Sequence, residues 1–250
     1  MLTRVPWCLL HISLIPLPLS PALPKLVLPH ILHEMALELY TDPRLPCPQR
    51  VHMVVLELGL DVIVHRVALE DGENRRNGYI KLNPFSTLPC LKDSSFSPPL
   101  VLYESRAIAR FLAARYGPQL LPDPGNISAM AQFEQAASIE VTTFDPVANR
   151  LVFEKIFKRH FKPDDSLPDL NLVQELQLRL GAVLDVLETI LARQTYMAGE
   201  RLSVVDLFYM PYFYHLEATV SPGCLHSRNN LARWWETLKT RQCYRALTSV

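Results

Sequence analysis

The chain has 250 residues with 25 basic and 25 acidic side chains, so no surplus of positive charge exists to drive binding to a phosphate backbone, and nucleic acid is excluded as a partner. With 49% hydrophobic residues that length buries a real core, as one large domain or two small ones, yet no apolar run is clean and long enough for a membrane span. The five cysteines (Cys8, Cys47, Cys90, Cys224 and Cys243) are scattered and lack any CxxC or Cys/His pairing, so neither a zinc site nor a disulfide framework is expected and a reducing, cytoplasmic compartment fits.

Residues 1–34 stand apart from the rest. They are apolar but interrupted by Pro6, Pro16, Pro18, Pro21, Pro24 and Pro29. Arg4 followed by Val5–Leu19 imitates a secretory signal, but prolines inside the apolar region and at Ser20-Pro21-Ala22 argue against cleavage there. The expectation is an extension, disordered or no part of the working protein, which begins near Met35.

From there the pattern is regular. Ala36–Tyr40 alternates as a strand, and Thr41–Pro46 is a turn. Pro48 opens a helix to Leu58, with Val51, Val54, Val55 and Leu58 on one face and Gly59 as its stop. Val62–Leu69 is a β-branched strand, Asp71–Gly78 is loop, and a short helix falls near Tyr79–Leu82. Leu88–Leu91 and Leu100–Tyr103 are further strands. Glu104–Tyr116 is a helix with Ala107, Ile108, Phe111 and Leu112 on one face, ended by Gly117-Pro118. The order β-α-β, then β-β-α, is that of a thioredoxin-like domain spanning residues 35–117. Residues 118–127, with Pro118, Pro122, Pro124 and Gly125, form a linker. Residues 128–250 carry helical periodicity over about Ser128–Arg159, Leu170–Arg193, Val204–Glu217 and Asn230–Leu247.

Two segments bear on chemistry. In Asn83-Pro84-Phe85-Ser86-Thr87-Leu88-Pro89-Cys90-Leu91 a proline stands at a strand opening, and a cis Leu88–Pro89 bond would turn the Leu88 peptide groups outward toward an extended peptide. In Leu102-Tyr103-Glu104-Ser105-Arg106-Ala107-Ile108-Ala109 a strand becomes a helix, and Glu104 and Ser105 sit at the positive end of its dipole. There Ser105 and backbone donors suit a carboxylate, and Glu104 suits an ammonium group. Together the two segments resemble the glutathione site of glutathione transferases, nearest the phi-like class of plants and fungi. Ser203-Val204-Val205-Asp206 reads as a capping box flanked by Leu202 and Leu207, and the resemblance places such a box on the buried helix of the second half.

The resemblance implies a thioredoxin-like half followed by an all-α half, a homodimer, and glutathione as co-substrate with a small hydrophobic electrophile. Carried over, it assigns glutathione contacts to Thr87, Leu88, Pro89, Glu104 and Ser105, and a glycyl-carboxylate contact to Arg75 or Arg76. Tyr209, Tyr212 and Phe144 are candidates for the co-substrate pocket, weighed against a simple core role. Trp234 and Trp235 read as packing with one ring partly exposed, and His160, His215 and His226 as structural or solvent-facing. No metal ligands are expected.

One departure matters. The position at which related transferases carry a hydroxyl residue or a cysteine holds Leu45, which cannot donate to a thiolate. Cys47, two residues on at the helix start, is a candidate nucleophile weighed against a half-buried packing role. Three functions follow: glutathione transfer or glutathione-assisted isomerisation in detoxification or fungal secondary metabolism, a binding or scaffold module that has lost chemistry, or a Cys47-dependent thiol transferase. A chain beginning at Met35 should be soluble with an unchanged melting temperature by differential scanning fluorimetry, and insolubility of that form alone would assign residues 1–34 a structural role.

Overall fold

The computed structural model describes residues 37–161, 167–221, 223–225 and 227–248. The reading of residues 1–34, Cys8 and His226 lie outside the described residues.

The first half is a four-stranded sheet in the order β2-β1-β3-β4. β1 (Leu37–Thr41) alternates buried and half-buried side chains, as a strand with one face on the core must. It pairs parallel with β2 (Ile63–Arg66) and antiparallel with β3 (Cys90–Asp93), which pairs antiparallel with β4 (Leu100–Tyr103). β2 is shorter than its β-branched sequence suggests. Ladder pairing ends where Val67 N–H reaches Thr41 O (2.9 Å), and Val67 then turns inward onto Tyr79 and Cys90. β3 begins at Cys90 rather than Leu88, because Pro89 has no N–H to add to a ladder.

α1 (Pro46–Glu57) starts two residues earlier than expected, since Pro46 tolerates the first helical position. Its apolar face, Val51, Val54 and Val55, is buried with Ile108, Leu112 and Ala113 of α3 (Ser105–Tyr116). A short α2 (Asn77–Ile80) crosses between β2 and β3.

The second half is helical. α4 (Ile127–Ile139), α5 (Asp145–Val152) and α6 (Lys158–Phe161) run head to tail, joined by π turns at Glu140–Phe144 and Phe153–Phe157. The first turn has a covalent cause. Pro146 lacks the N–H that the Thr142 carbonyl would take in a regular helix, and the widened turn, closed by Asp145 N–H on Glu140 O, absorbs the defect. α7 (Leu170–Leu191) packs on α5 and on α9 (Asn229–Lys239), α10 (Arg245–Thr248) packs on α1, and α8 (Val204–His215) lies against α1, α3, α4 and α5 with Trp234 of α9 on its Tyr209 and Phe213 rings. α8 is apolar all round and buried from Val204 through Phe213, as expected of a central helix.

The capping box on α8 forms as read from sequence. Its Asp206 does more than cap. Fully buried, it accepts from Met197 N–H (2.8 Å), Ser203 N–H (2.9 Å), Ser203 Oγ (3.1 Å) and the Trp234 indole (2.9 Å). Trp234 and Trp235 are both fully buried, which corrects the expectation of a partly exposed ring. Each indole N–H finds a carboxylate, Trp235 meeting Glu217 at 2.7 Å, and that allows both rings inside. Among the described residues no helix is long and apolar enough to cross a membrane, and no cluster of His, Cys, Asp or Glu could hold a metal ion.

Asp206→Ala strips four donors of their acceptor at once and should lower unfolding free energy by about 3–5 kcal/mol in urea titration, whereas Ser203→Ala should cost only about 1–2 kcal/mol.

Candidate functional site

A cleft of about 320 Å³ opens where the sheet half meets the helical half. On the sheet side it is lined by Leu45, Pro46, Cys47 and Pro48 at the start of α1, by Asn74, and by Ser86, Thr87 and Leu88 before β3. The opposite wall comes from the second π turn and its neighbours, chiefly Val152, Phe153, Phe157 and Phe161, with Tyr212 beneath.

The segment before β3 is held by side chains that leave its outer edge open. Asn83, fully buried, donates its amide to Thr87 O (2.7 Å) and Thr87 Oγ1 (3.1 Å) and accepts from Phe85 N–H (3.0 Å). The Tyr79 hydroxyl reaches the same Thr87 carbonyl at 2.6 Å, and Asn74 holds Ser86 O at 2.8 Å. Burial pushes the Tyr79 phenol upward, so it remains a donor. The Leu88–Pro89 bond is cis, Thr87 is exposed and Leu88 half-buried.

The β3–β4 register, with Cys90 opposite Tyr103, brings Pro89 alongside Glu104. The two sequence motifs, 15 positions apart, are thus neighbours. Glu104 caps α3 with φ +71° and ψ 109°, a conformation that L-residues avoid at a cost of about 1–3 kcal/mol. It is exposed, while Ser105 behind it is 5% exposed.

Behind Ser105 lies a group of charges that the sequence reading missed. Arg50 of α1 is fully buried and donates to Ser105 Oγ (2.8 Å), to Phe208 O of α8 (3.1 Å) and to Asp145 (3.3 Å). Arg106 grips Glu140, itself fully buried, through two nitrogens and reaches Asp145 at 2.7 Å. Ser105 Oγ accepts from the Arg50 guanidinium, which fixes the oxygen and leaves the hydroxyl proton outside that bond. The signal in sequence was Arg50 standing beside the apolar run Val51–Val55 of a buried helix face, a place where arginine requires partners.

The remaining candidates fall elsewhere. Arg75 and Arg76 are both exposed and neither lines the cleft; Arg76 donates to Asp71 O (3.1 Å), and Asn74 is the residue of that loop that faces the cleft. Phe144 and Tyr209 are fully buried and pack with Phe213, so they support the cleft from within the core rather than line it. Tyr212 alone of the three aromatic candidates reaches the cleft. The apolar wall uses Phe153, Phe157 and Phe161, whose sequence signal was an aromatic every four residues along one helix face.

A thioredoxin-like sheet carrying a strained acid–serine corner, joined to an all-α half across an apolar cleft, is the architecture of the glutathione transferases. Residues 46–115 match the family described as "Glutathione S-transferase, N-terminal domain", and residues 151–242 match "Glutathione S-transferase, C-terminal domain". The chain is 35% identical over 206 residues to glutathione S-transferase PM239X14 of Arabidopsis thaliana, covering 80% of this chain and 90% of that protein. It is 34% identical over 197 residues to glutathione S-transferase hmp2 of Hypomyces subiculosus, covering 78% and 90%. Glutathione S-transferase-I, solved with lactoylglutathione bound, superimposes with a TM-score of 0.79 at 25% identity, covering 86% of this chain and all of that one. The chain belongs to the glutathione S-transferase family, on its phi-like, plant and fungal side.

Arg50→Met leaves Ser105 Oγ and Phe208 O without their donor inside the protein and should lower unfolding free energy by about 3–5 kcal/mol, measured by urea titration; a loss below about 1 kcal/mol would show that the junction does not depend on it.

Proposed function

We propose that the chain binds glutathione across the β3 edge and the α3 corner and transfers it to a small hydrophobic electrophile held against Phe153, Phe157 and Phe161. The observation that carries this reading is the Pro89–Glu104–Ser105 corner, where an outlying backbone conformation holds an acid beside a serine whose oxygen is fixed by Arg50. Leu88 offers its peptide groups to the cysteinyl backbone, Ser105 donates to the γ-glutamyl carboxylate, and Glu104 receives the γ-glutamyl ammonium. Thr87 and Asn74 supply polar contacts along the cleft, and Arg75 or Arg76 could reach the glycyl carboxylate only by swinging in from solvent. We take the protein to be a cytoplasmic homodimer acting in detoxification or secondary metabolism, as its phi-like relatives suggest.

The cleft is poor in thiolate donors. Leu45 brings none, and of the first helical residues of α1 both Pro46 and Pro48 lack an N–H. The Gln49 N–H is engaged by Leu45 O at 2.9 Å, so Cys47 supplies the one unengaged amide of that turn. Thiolate stabilisation then rests on that amide and the helix dipole. A missing hydrogen bond to a charged sulfur is worth about 1.5–3 kcal/mol, which raises the bound thiol pKa by about 1–2 units. Conjugation near neutral pH is therefore slow, by about ten- to a hundredfold relative to a site with the donor.

Calorimetry should detect glutathione binding that Ser105→Ala weakens clearly, and the absence of heat with millimolar glutathione would refute the site. Turnover of a generic electrophile should be weak and rise about tenfold or more in Leu45→Ser, whereas Cys47→Ala should leave it intact. Cys47 lines the cleft, so a second chemistry has a defined signature. Loss of turnover in Cys47→Ala, together with a glutathione mixed disulfide in the unmodified protein, would make this a thiol transferase with Cys47 as nucleophile.

A further inference from the structure

α2 opens with the only Asn-Gly pair in the chain, Asn77-Gly78. Neither usual reason for a glycine applies at Gly78. Its φ is not positive, and a Cβ placed on it would meet nothing within 4 Å. What the missing side chain leaves is chemical access to the backbone nitrogen.

The two groups that such a pair can join are both free. Among the described residues the Asn77 carboxamide makes no hydrogen bond, and neither does the Gly78 N–H. Both residues are exposed. The turn is held by the N–H groups of Tyr79 and Ile80, which both return to Arg76 O at 3.1 Å and so span the 77–78 peptide. A single turn has little cooperative support and opens at small cost, which frees Asn77 to swing its side-chain carbon onto the Gly78 nitrogen. Arg75, Arg76 and Lys81 stand around the pair, all exposed and none paired with a carboxylate among the described residues. Their charge favours both the nitrogen anion that attacks and the carboxylate that results.

We propose that Asn77-Gly78 is a site of spontaneous deamidation and that the isoaspartate formed there weakens glutathione binding, the second part resting on the reading of the cleft given above. The Gly78 nitrogen bonds to the Asn77 side-chain carbon, and its proton leaves with the carboxamide nitrogen as ammonia. Water then opens the succinimide ring at one of two C–N bonds. Breaking the new bond gives aspartate, whereas breaking the original peptide bond routes the main chain through Cβ as isoaspartate. The isoaspartate lengthens the backbone by one atom between Arg76 and Tyr79, inside the span of both bonds to Arg76 O. Tyr79 shifts with it, and the Tyr79 hydroxyl is what holds Thr87 O at 2.6 Å behind the proline segment.

The test ages the full chain at mildly alkaline pH and divides each sample between tryptic mapping and glutathione calorimetry. Cleavage after Arg76 and Lys81 isolates Asn77–Lys81, where deamidation is read as the mass gain of an NH2-to-OH exchange. Methyl transfer by an isoaspartyl methyltransferase identifies the isoaspartate. The gain should appear first in that peptide, and molecules carrying isoaspartate should bind glutathione about three- to tenfold more weakly. Gly78→Ala places its methyl in open space, so it should fold normally and suppress both changes. Asn77→Asp carries the new charge without the lengthened backbone and should stay near the unaged affinity. No mass gain in Asn77–Lys81, or a gain as fast in Gly78→Ala, would overturn the modification site. Full affinity in the isoaspartate form, or Asn77→Asp as weak as that form, would overturn its action on the loop. Absence of glutathione binding in fresh protein would refute the reading of the cleft and the loop effect with it, while the mass gain still decides the modification.

Discussion

The buried guanidinium of Arg50 is the constraint on which the two halves depend. It leaves α1 of the sheet half, ties the start of α3 through Ser105, and reaches the Phe208 carbonyl in the central helix of the other half. A charge removed so completely from water is tolerable only where its donors are met, and here a hydroxyl, a backbone carbonyl and acidic side chains meet them. Arg106 and Glu140 complete a cluster in which opposite charges balance. The consequence is that domain packing and binding-site geometry are one arrangement. Ser105 cannot be oriented without α8 in place, because the residue that orients it also binds α8.

Asp206 plays the complementary part within the helical half. It satisfies the start of α8, the loop at Met197 and the indole of Trp234 at once. A helix apolar on every side has no polar face to fix its rotation, and hydrophobic burial alone is indifferent to small slips along such a rod. One buried carboxylate at its first turn and one arginine on a carbonyl near its middle define its position where apolar packing would not.

Much of this was legible in the chain because local rules and global fold agree. Alternation gave β1, Leu100–Tyr103 coincides with β4, and the capping box at Ser203 marked the start of α8 to the residue. The acid–serine corner and the proline segment were legible as motifs, because a cis proline at a strand opening and a strand-to-helix corner at positive φ each leave a mark in the sequence. What the pattern hid was set by contacts distant in sequence. Arg50 meets Asp145 across 95 positions and Phe208 across 158, and no local periodicity encodes such pairings. The same holds for the cleft wall. Phe144 and Phe153 look alike in sequence, but the widened turn demanded by Pro146 alters the facing of everything after it, so that one ring ends in the core and the other beside the cleft.

The conformation of Glu104 has a consequence for how the chain can change. At φ +71° a glycine would be at ease, and a chain under pressure for stability alone would gain on the order of 1 kcal/mol by adopting one. That drift would erase the side-chain carboxylate while leaving the fold intact. On the proposed reading, position 104 is thus where stability and recognition pull apart, and glycine there would keep the fold while removing the partner of the γ-glutamyl ammonium.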